Sequence, residues 1–309
     1  MNLPSPNHFR NAFNDAVWLD AARCVCADHK IAFESLARAP IGDNVVVFID
    51  DRFVLKIFEP GTNGFTREKA ALEFVQNRLS LETPEIVACG KLDGYEYLLT
   101  TLLAGRSMNR AEWLKLSRSV QLRLITKLAS VLREMHGIDA REVDFDWHHF
   151  LQNQVETVVE RQRREGGNPE WIESLPRYLD DYLGLLPARP AEVFVHGDVH
   201  FGNVHVSGGV DDLMLSGLFD FADSLKGFCE YDFAAIGVLM IQGQGDLQRE
   251  FFRAYGYADS EINIELRRRM MLMTILYEYS SLKRYADRLR PGAVELTLDE
   301  LEREIWNFV

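Results

Sequence analysis

Phe194-Val195-His196-Gly197-Asp198-Val199-His200-Phe201-Gly202-Asn203, with Leu218-Phe219-Asp220-Phe221 downstream, is the stretch on which the reading of this chain turns. It holds an Asp, an Asn five residues later, and a further Asp that leaves an apolar strand. Phosphoryl transfer needs a carboxylate that orients and deprotonates an attacking hydroxyl, and oxygen ligands that hold Mg²⁺ on nucleotide phosphates. The five-residue separation lets the intervening loop wrap a transferring phosphate, and a strand–loop–strand frame holds the pieces rigidly. His196 and His200 also stand at H-x-x-x-H spacing, with His205 nearby. A two-histidine zinc motif works because a helix puts i and i+4 on one face. Gly197 and Gly202 break a helix here, and no acidic third ligand has the spacing of a zinc motif.

Upstream, Val54-Leu55-Lys56-Ile57-Phe58 places a lysine in the middle of an apolar strand. Desolvation makes a lysine there costly unless it meets an anion. In kinase-like folds that anion is the α/β-phosphate pair, and a Glu from the following helix holds the ammonium. Around this strand the first hundred residues read as a helix (14–29), short β-rich runs (33–37, 45–49, 53–58), a helix (65–79) and two more strands (86–89, 95–101). After Leu103-Ala104-Gly105 the pattern changes to long helices at 120–136, 147–164, 171–186, 246–255 and 261–288, interrupted by one strand-rich stretch at 193–221. The expectation is an α+β chain with two lobes: a small β-rich N-terminal nucleotide-binding lobe, residues 1–102, and a larger, mainly helical catalytic and substrate-binding lobe, residues 103–309.

On these motifs the chain resembles the aminoglycoside phosphotransferase family, small-molecule kinases with a protein-kinase-like fold. The family's His-Gly-Asp-x-His-x-x-Asn loop is matched by His196, Gly197, Asp198, His200 and Asn203, and its Ile/Val-Asp-aromatic metal motif by Phe219-Asp220-Phe221, with Phe219 in place of the aliphatic residue. The Val195–Val206 stretch is most similar to the hygromycin phosphotransferase branch. The resemblance implies Asp198 as catalytic base, Asn203 and Asp220 as ligands of Mg²⁺, and Lys56 held by Glu68, since Arg67-Glu68-Lys69-Ala70-Ala71-Leu72 looks like the family's Arg-Glu-x-x-x-Leu helix. It implies that the Gly42-Asp43-Asn44 turn covers the nucleotide, so that Asp43 and Asn44 lie against it. Tyr97–Gly105 resembles the interlobe hinge, where backbone groups from Thr100 to Leu102 read the base of ATP, or of GTP. Gly227, Asp232 and Ala234 match the family's Gly-Asp-Pro-x-x-Asp-Leu-Ala, with Phe228-Cys229 in place of Asp-Pro, and Asp232 is expected to brace the catalytic loop. The resemblance covers residues 41 to 235.

A protein kinase needs a long segment after its metal-binding Asp and an Ala-Pro-Glu anchor. Only a few residues separate Asp220-Phe221 from the next helical run near Tyr231, and no Ala-Pro-Glu occurs. The acceptor is therefore expected to be the hydroxyl of a small molecule. The resemblance points to an aminoglycoside and an antibiotic-resistance role. Choline, an amino sugar or another amino alcohol is the metabolic alternative, and a non-catalytic nucleotide-binding module is the competing class.

The whole chain fits this reading. Its 309 residues are 47% hydrophobic and 26% charged, enough to bury a large core. The net charge of −13 repels nucleic acid and anionic lipid and welcomes a cationic acceptor. Cys24, Cys26, Cys89 and Cys229 are too few for a disulfide framework and fit reduced thiols in the cytoplasm. Met1–Arg10 has no basic stretch followed by an apolar run, and no apolar run reaches the ~20 residues of a bilayer span, so neither export nor membrane insertion is expected.

Overall fold

Alternating burial builds the first part of the chain. The structure, a computed structural model, describes residues 15–40, 42–187 and 191–309. The readings of Met1–Arg10, Asn14 and Ile41 lie outside the described residues. The chain divides into two compact units: residues up to Gly105 together with Ser216–Ser224, and Arg106–Leu215 together with Leu225–Val309. The segment carrying Asp220 thus groups with the first unit, whereas the division at residues 102 and 103 expected from sequence is contiguous.

The first unit comprises α1 (Asp15–Asp28), β1 (Leu36–Arg38), β2 (Val45–Ile49), β3 (Phe53–Ile57), α2 (Gly64–Val75), β4 (Ile86–Leu92) and β5 (Tyr95–Thr101). The strands form one antiparallel sheet in the order β1-β2-β3-β5-β4. Side chains alternate across a pleated strand, so every second residue faces one side. Val45, Val47, Ile49, Leu55, Ile57, Tyr95, Tyr97 and Leu99 bury against Trp18, Ala21, Ala22, Val25 and Cys26 of α1. The same alternation turns Lys56, between Leu55 and Ile57, to the opposite face. The first strand is set later than the apolar run at 33–37 suggests, because Leu36–Arg38 is the part that registers against Val47–Ile49.

The second unit comprises β6 (Arg106–Ser107), α3 (Arg110–Trp113), α4 (Arg118–His136), α5 (Trp147–Arg164), α6 (Pro169–Tyr182), β7 (Glu192–Val195), β8 (Val204–Ser207), β9 (Met214–Leu218, whose end passes into the first unit), β10 (Leu225–Phe228), α7 (Glu230–Ala235), α8 (Gly245–Tyr255), α9 (Ile264–Leu276), α10 (Leu282–Leu289) and α11 (Leu298–Ile305). A π-helical turn, Ile236–Ile241, continues α7. Strand β10 pairs antiparallel with β7, and β6 with β8. Among the described residues no helix is long and apolar enough to cross a membrane.

One expected helix is two. The apolar pattern of residues 261–288 runs without a breaker, yet α9 stops at Leu276 and α10 starts at Leu282. Ser281 caps α10 by accepting the Arg284 N–H. Gln162 of α5, fully buried, takes the groups that the break exposes. Its amide donates to the Ser280 carbonyl and Oγ, both at 3.1 Å, and its oxygen accepts the Leu282 N–H at 2.8 Å. Arg161 donates to the Ile275 carbonyl at 3.2 Å, near the end of α9. A buried polar side chain with such complementary partners offsets the desolvation of the broken helix.

The chain terminus closes the core of this unit. Buried Trp306 donates from Nε1 to Thr274 Oγ1 at 3.0 Å and lies beside Phe252 and Phe308. Fully buried Glu302 accepts from Tyr178 Oη at 2.6 Å and Arg267 Nε at 2.8 Å, and pairs with Arg268. Trp306→Ala is expected to lower the unfolding free energy by about 3–5 kcal/mol. Urea melts measure this, and a loss below about 1 kcal/mol would mean that the terminus is not part of the core.

Candidate functional site

In the first unit three expected residues meet. Lys56 Nζ lies 2.6 Å from Glu68 Oε2 and 2.6 Å from Asp220 Oδ1. Glu68 is on α2, on the face that strand alternation gives Lys56. Burial works against the ammonium, but the two carboxylates outweigh it and raise the Lys56 pKa above its ordinary value. Burial pushes the Glu68 carboxyl up, opposed by Lys56. Lys56 and Glu68 are almost enclosed, whereas the Asp220 side chain is 43% exposed, so the open end of the pair is the aspartate.

Asp220 itself sits at φ 64°, in the left-handed region. That region is uncommon for a residue with a side chain, and such residues cluster at functional sites. The surrounding chain fixes it. Leu218 N–H donates to the Glu82 carbonyl at 3.0 Å, and buried Phe221 opens a 3-10 turn, Phe221–Asp223.

The other first-unit candidates lie elsewhere in the sheet. Asn44 Oδ1 accepts the Glu59 N–H at 3.1 Å and so ties the entry of β2 to the exit of β3, while Asp43 is exposed beside it. Thr100 is buried in β5, between Val54 of β3 and Ile86 of β4. At the hinge, Thr101 N–H donates to the Glu85 carbonyl at 2.9 Å and Leu102 N–H to the Arg52 carbonyl at 2.8 Å. Leu102 N–H would have to leave Arg52 before it could read a base.

In the second unit the chain leaves β7 into residues 196–203 and returns in β8. The loop is clamped from below by Asp232 of α7, which is 1% exposed. Its Oδ2 accepts His196 N–H at 2.9 Å and its Oδ1 accepts Gly197 N–H at 2.7 Å. His136, at the end of α4, contacts Oδ2 through Nε2 at 2.9 Å. Gly197 has φ 86°, a conformation glycine takes without strain. His196 Nδ1 accepts Asp198 N–H at 3.3 Å.

Asp198 is surrounded by donors. Tyr277 Oη donates to Oδ1 at 2.6 Å. Asn203 Nδ2 donates to the Asp198 carbonyl at 2.9 Å and to Oδ2 at 3.1 Å. His200 Nε2 lies 3.2 Å from Oδ2. Gly202 N–H donates to His200 Nδ1 at 2.8 Å, so a neutral ring carries its proton on Nε2 and gives it to Asp198. Position 202 must be glycine for this, since a Cβ there would come within 2.6 Å of the His200 ring. Burial would raise the Asp198 pKa, but His200 and Tyr277 outweigh it and hold the carboxyl below its ordinary value. Burial and the Asp198 charge raise the Tyr277 hydroxyl well above its own.

Tyr277 and His136 were not assigned from sequence. Tyr277 stands in what reads as the middle of a half-buried helix, and only the break after α9 brings it to Asp198. His136 shows no local signal beyond its place before Gly137.

Each unit carries an oxygen donor of the kind that Mg²⁺ takes. Both amide hydrogens of Asn203 are committed to Asp198, which leaves Oδ1 as a hard oxygen ligand. Asp220 offers a carboxylate with an exposed side. Mg²⁺ characteristically takes one or two protein ligands and completes its shell with phosphates and water. Among the described residues there is no group of three His, Cys, Asp or Glu that could hold a metal alone.

The Phosphotransferase enzyme family profile matches residues 40–272. No curated protein sequence matches the chain. Among solved structures it is similar to wild-type aminoglycoside 2'-phosphotransferase-IIIa in its GDP complex, at 16% identity over 94% of this chain and 99% of that one, with a TM-score of 0.69. It is also similar to the ternary complex of APH(2'')-IIa with streptomycin and ATP, at 18% identity over 91% and 98%, TM-score 0.62. A third is aminoglycoside phosphotransferase APH(3'')-Id from Streptomyces rimosus, at 19% identity over 85% and 98%, TM-score 0.59.

The electrostatics fix a pH dependence. A base with a lowered pKa is ionised throughout the neutral range, so the acid limb of kcat/KM that it sets is expected below the range in which an ordinary carboxylate titrates. Removing a donor from the charged form raises the pKa, so His200→Ala is expected to move the limb upward. A pH–rate profile of both proteins checks this, and a wild-type limb at pH 6 or above would contradict it.

Proposed function

The chain belongs to the phosphotransferase enzyme family, and on that premise we propose that it moves the γ-phosphate of ATP, or of GTP, onto a hydroxyl of an amine-bearing small molecule of the aminoglycoside type. The observation that carries this reading is the Asp198 carboxylate: half-buried, ionised, and held by three side-chain donors in a loop clamped by Asp232. A solvated turn needs none of these partners, whereas a general base needs a fixed direction.

Asp198 takes the proton of the acceptor hydroxyl. Lys56, steadied by Glu68, takes the α/β-phosphates. A phosphate that draws Lys56 away from Asp220 frees that carboxylate as an oxygen ligand. Asn203 and Asp220 would hold Mg²⁺, which when bound neutralises charge on the phosphates. Asp43 and Asn44 would lie over the nucleotide, with Thr100 and Leu102 at its base.

Two features support a cationic acceptor: the net charge of −13 and the similarity to APH(2'')-IIa in complex with streptomycin and ATP and to aminoglycoside phosphotransferase APH(3'')-Id. The short connection from Asp220 to α7 supports a small acceptor over a peptide. A resistance role in the cytoplasm follows from this reading if the acceptor is an antibiotic.

Coupled release of nucleoside diphosphate with Mg-ATP or Mg-GTP tests the proposal across aminoglycosides, hygromycin B, choline and amino sugars. At least one amine-bearing acceptor is expected to turn over, and Asp198→Ala is expected to lower kcat by about 10²–10⁴-fold. Nucleotide binding without turnover of any acceptor would reject the reading.

A further inference from the structure

The geometry points to Tyr277 as the positioning residue that makes Oδ1 of Asp198 the proton-accepting atom and keeps water from it. This rests on the phosphotransferase reading above. An ionised carboxylate offers about four lone-pair positions, two on each oxygen. Asn203 Nδ2 and His200 Nε2 fill both positions on Oδ2. Tyr277 Oη fills one on Oδ1 at 2.6 Å. Among the described residues one position is left, on Oδ1 and beside the tyrosine hydroxyl. An acceptor hydroxyl that gives its proton to Asp198 meets that position.

The placement of Tyr277 is built, not incidental. Its ring is 2% exposed and packs against Tyr231, with centroids 5.6 Å apart, and against Tyr279 at the same separation. The backbone on both sides is pinned. Tyr231 Oη accepts the Glu278 N–H at 3.1 Å, and Gln162 holds Ser280 and Leu282. A helix continued through residues 277–281 would need none of these bonds. The break costs backbone hydrogen bonds and delivers one hydroxyl to one carboxylate oxygen.

In the reaction the acceptor oxygen bonds to the γ-phosphorus as its proton passes to Oδ1. The bond from the γ-phosphorus to the β,γ-bridging oxygen breaks, and its electron pair leaves on the nucleoside diphosphate. The proton on Asp198 is later released to solvent. Water in the same position would give inorganic phosphate instead. With Tyr277 Oη on Oδ1, a single approach is open, and a bulky acceptor that fills it excludes water. Without the hydroxyl, Oδ1 has two open positions and can hold a water beside the acceptor.

Tyr277→Phe keeps the ring and its packing. The measurements are transfer of phosphate from Mg-ATP to an acceptor, the molar ratio of ADP formed to acceptor phosphorylated, and hydrolysis of Mg-ATP with no acceptor present. Expected are an about tenfold lower transfer kcat, a nucleotide KM within about twofold of wild type, a raised ADP-to-product ratio, and acceptor-free hydrolysis raised at least about twofold. A second variant, Gln162→Met, keeps the hydroxyl but unpins the segment, and is expected to raise the same ratio by less. Transfer and hydrolysis falling together, or both staying at wild-type values, would overturn the inference. The acceptor-free arm distinguishes the two readings. If wild type phosphorylates no acceptor, the acceptor assignment fails, and Tyr277→Phe against wild type in Mg-ATP and water alone still decides the role of the tyrosine.

Discussion

The carboxylate of Asp232 is the constraint on which the loop of residues 196–203 depends. It is a charge with almost no access to solvent, and such a charge persists only when its lone pairs are taken by good donors. Here they are the N–H groups of His196 and Gly197 and the ring of His136. Two consecutive backbone N–H groups aimed at one side chain fix the peptide planes at the start of the loop, and the positive φ of Gly197 is the conformation that allows it. With the start fixed and β8 taking up the chain at Val204, the few residues between have little freedom. Asp198 and Asn203 face each other because the loop between them is closed at both ends.

The first unit reaches its charged cluster by a different route. Strand alternation commits Leu55 and Ile57 to the core against α1 and sends Lys56 to the other face, where α2 brings Glu68. Two carboxylates around one ammonium leave an excess negative charge that burial disfavours. The arrangement relieves this by leaving the Asp220 side chain the most exposed of the three. The same exposure leaves Asp220 the member of the three most open to an exchange of partners.

Much of this was legible in the sequence because local rules decide it. A lysine inside an apolar strand, a glutamate early in the next helix, and an Asp and Asn five residues apart around glycines each follow from periodicity or turn chemistry. Strands β2 and β5 and helix α5 have the limits that the pattern predicts. What was hidden depends on groups far apart in the chain. The break between α9 and α10 is invisible in the apolar pattern of residues 261–288, since a side chain on α5, Gln162, makes it possible. Tyr277 is therefore misread as a helix residue. His200 reads as one of a pair of loop histidines until the Gly202 N–H fixes which ring nitrogen donates to Asp198. The hinge gives a similar lesson, because only the fold shows Leu102 N–H already committed to the Arg52 carbonyl.

Asp198 is proposed as a base on the acceptor and not as a nucleophile toward phosphorus. Its two oxygens, three of whose four positions are occupied by donors, suit proton transfer and leave little room for an acyl phosphate. The direct measurement is the stereochemical course at phosphorus with ATP made chiral by oxygen isotopes in the γ-phosphoryl group. A single in-line displacement predicts inversion of configuration in the phosphorylated acceptor. Retention would reveal two displacements through a phosphorylated enzyme and would exclude direct transfer to an acceptor deprotonated by Asp198.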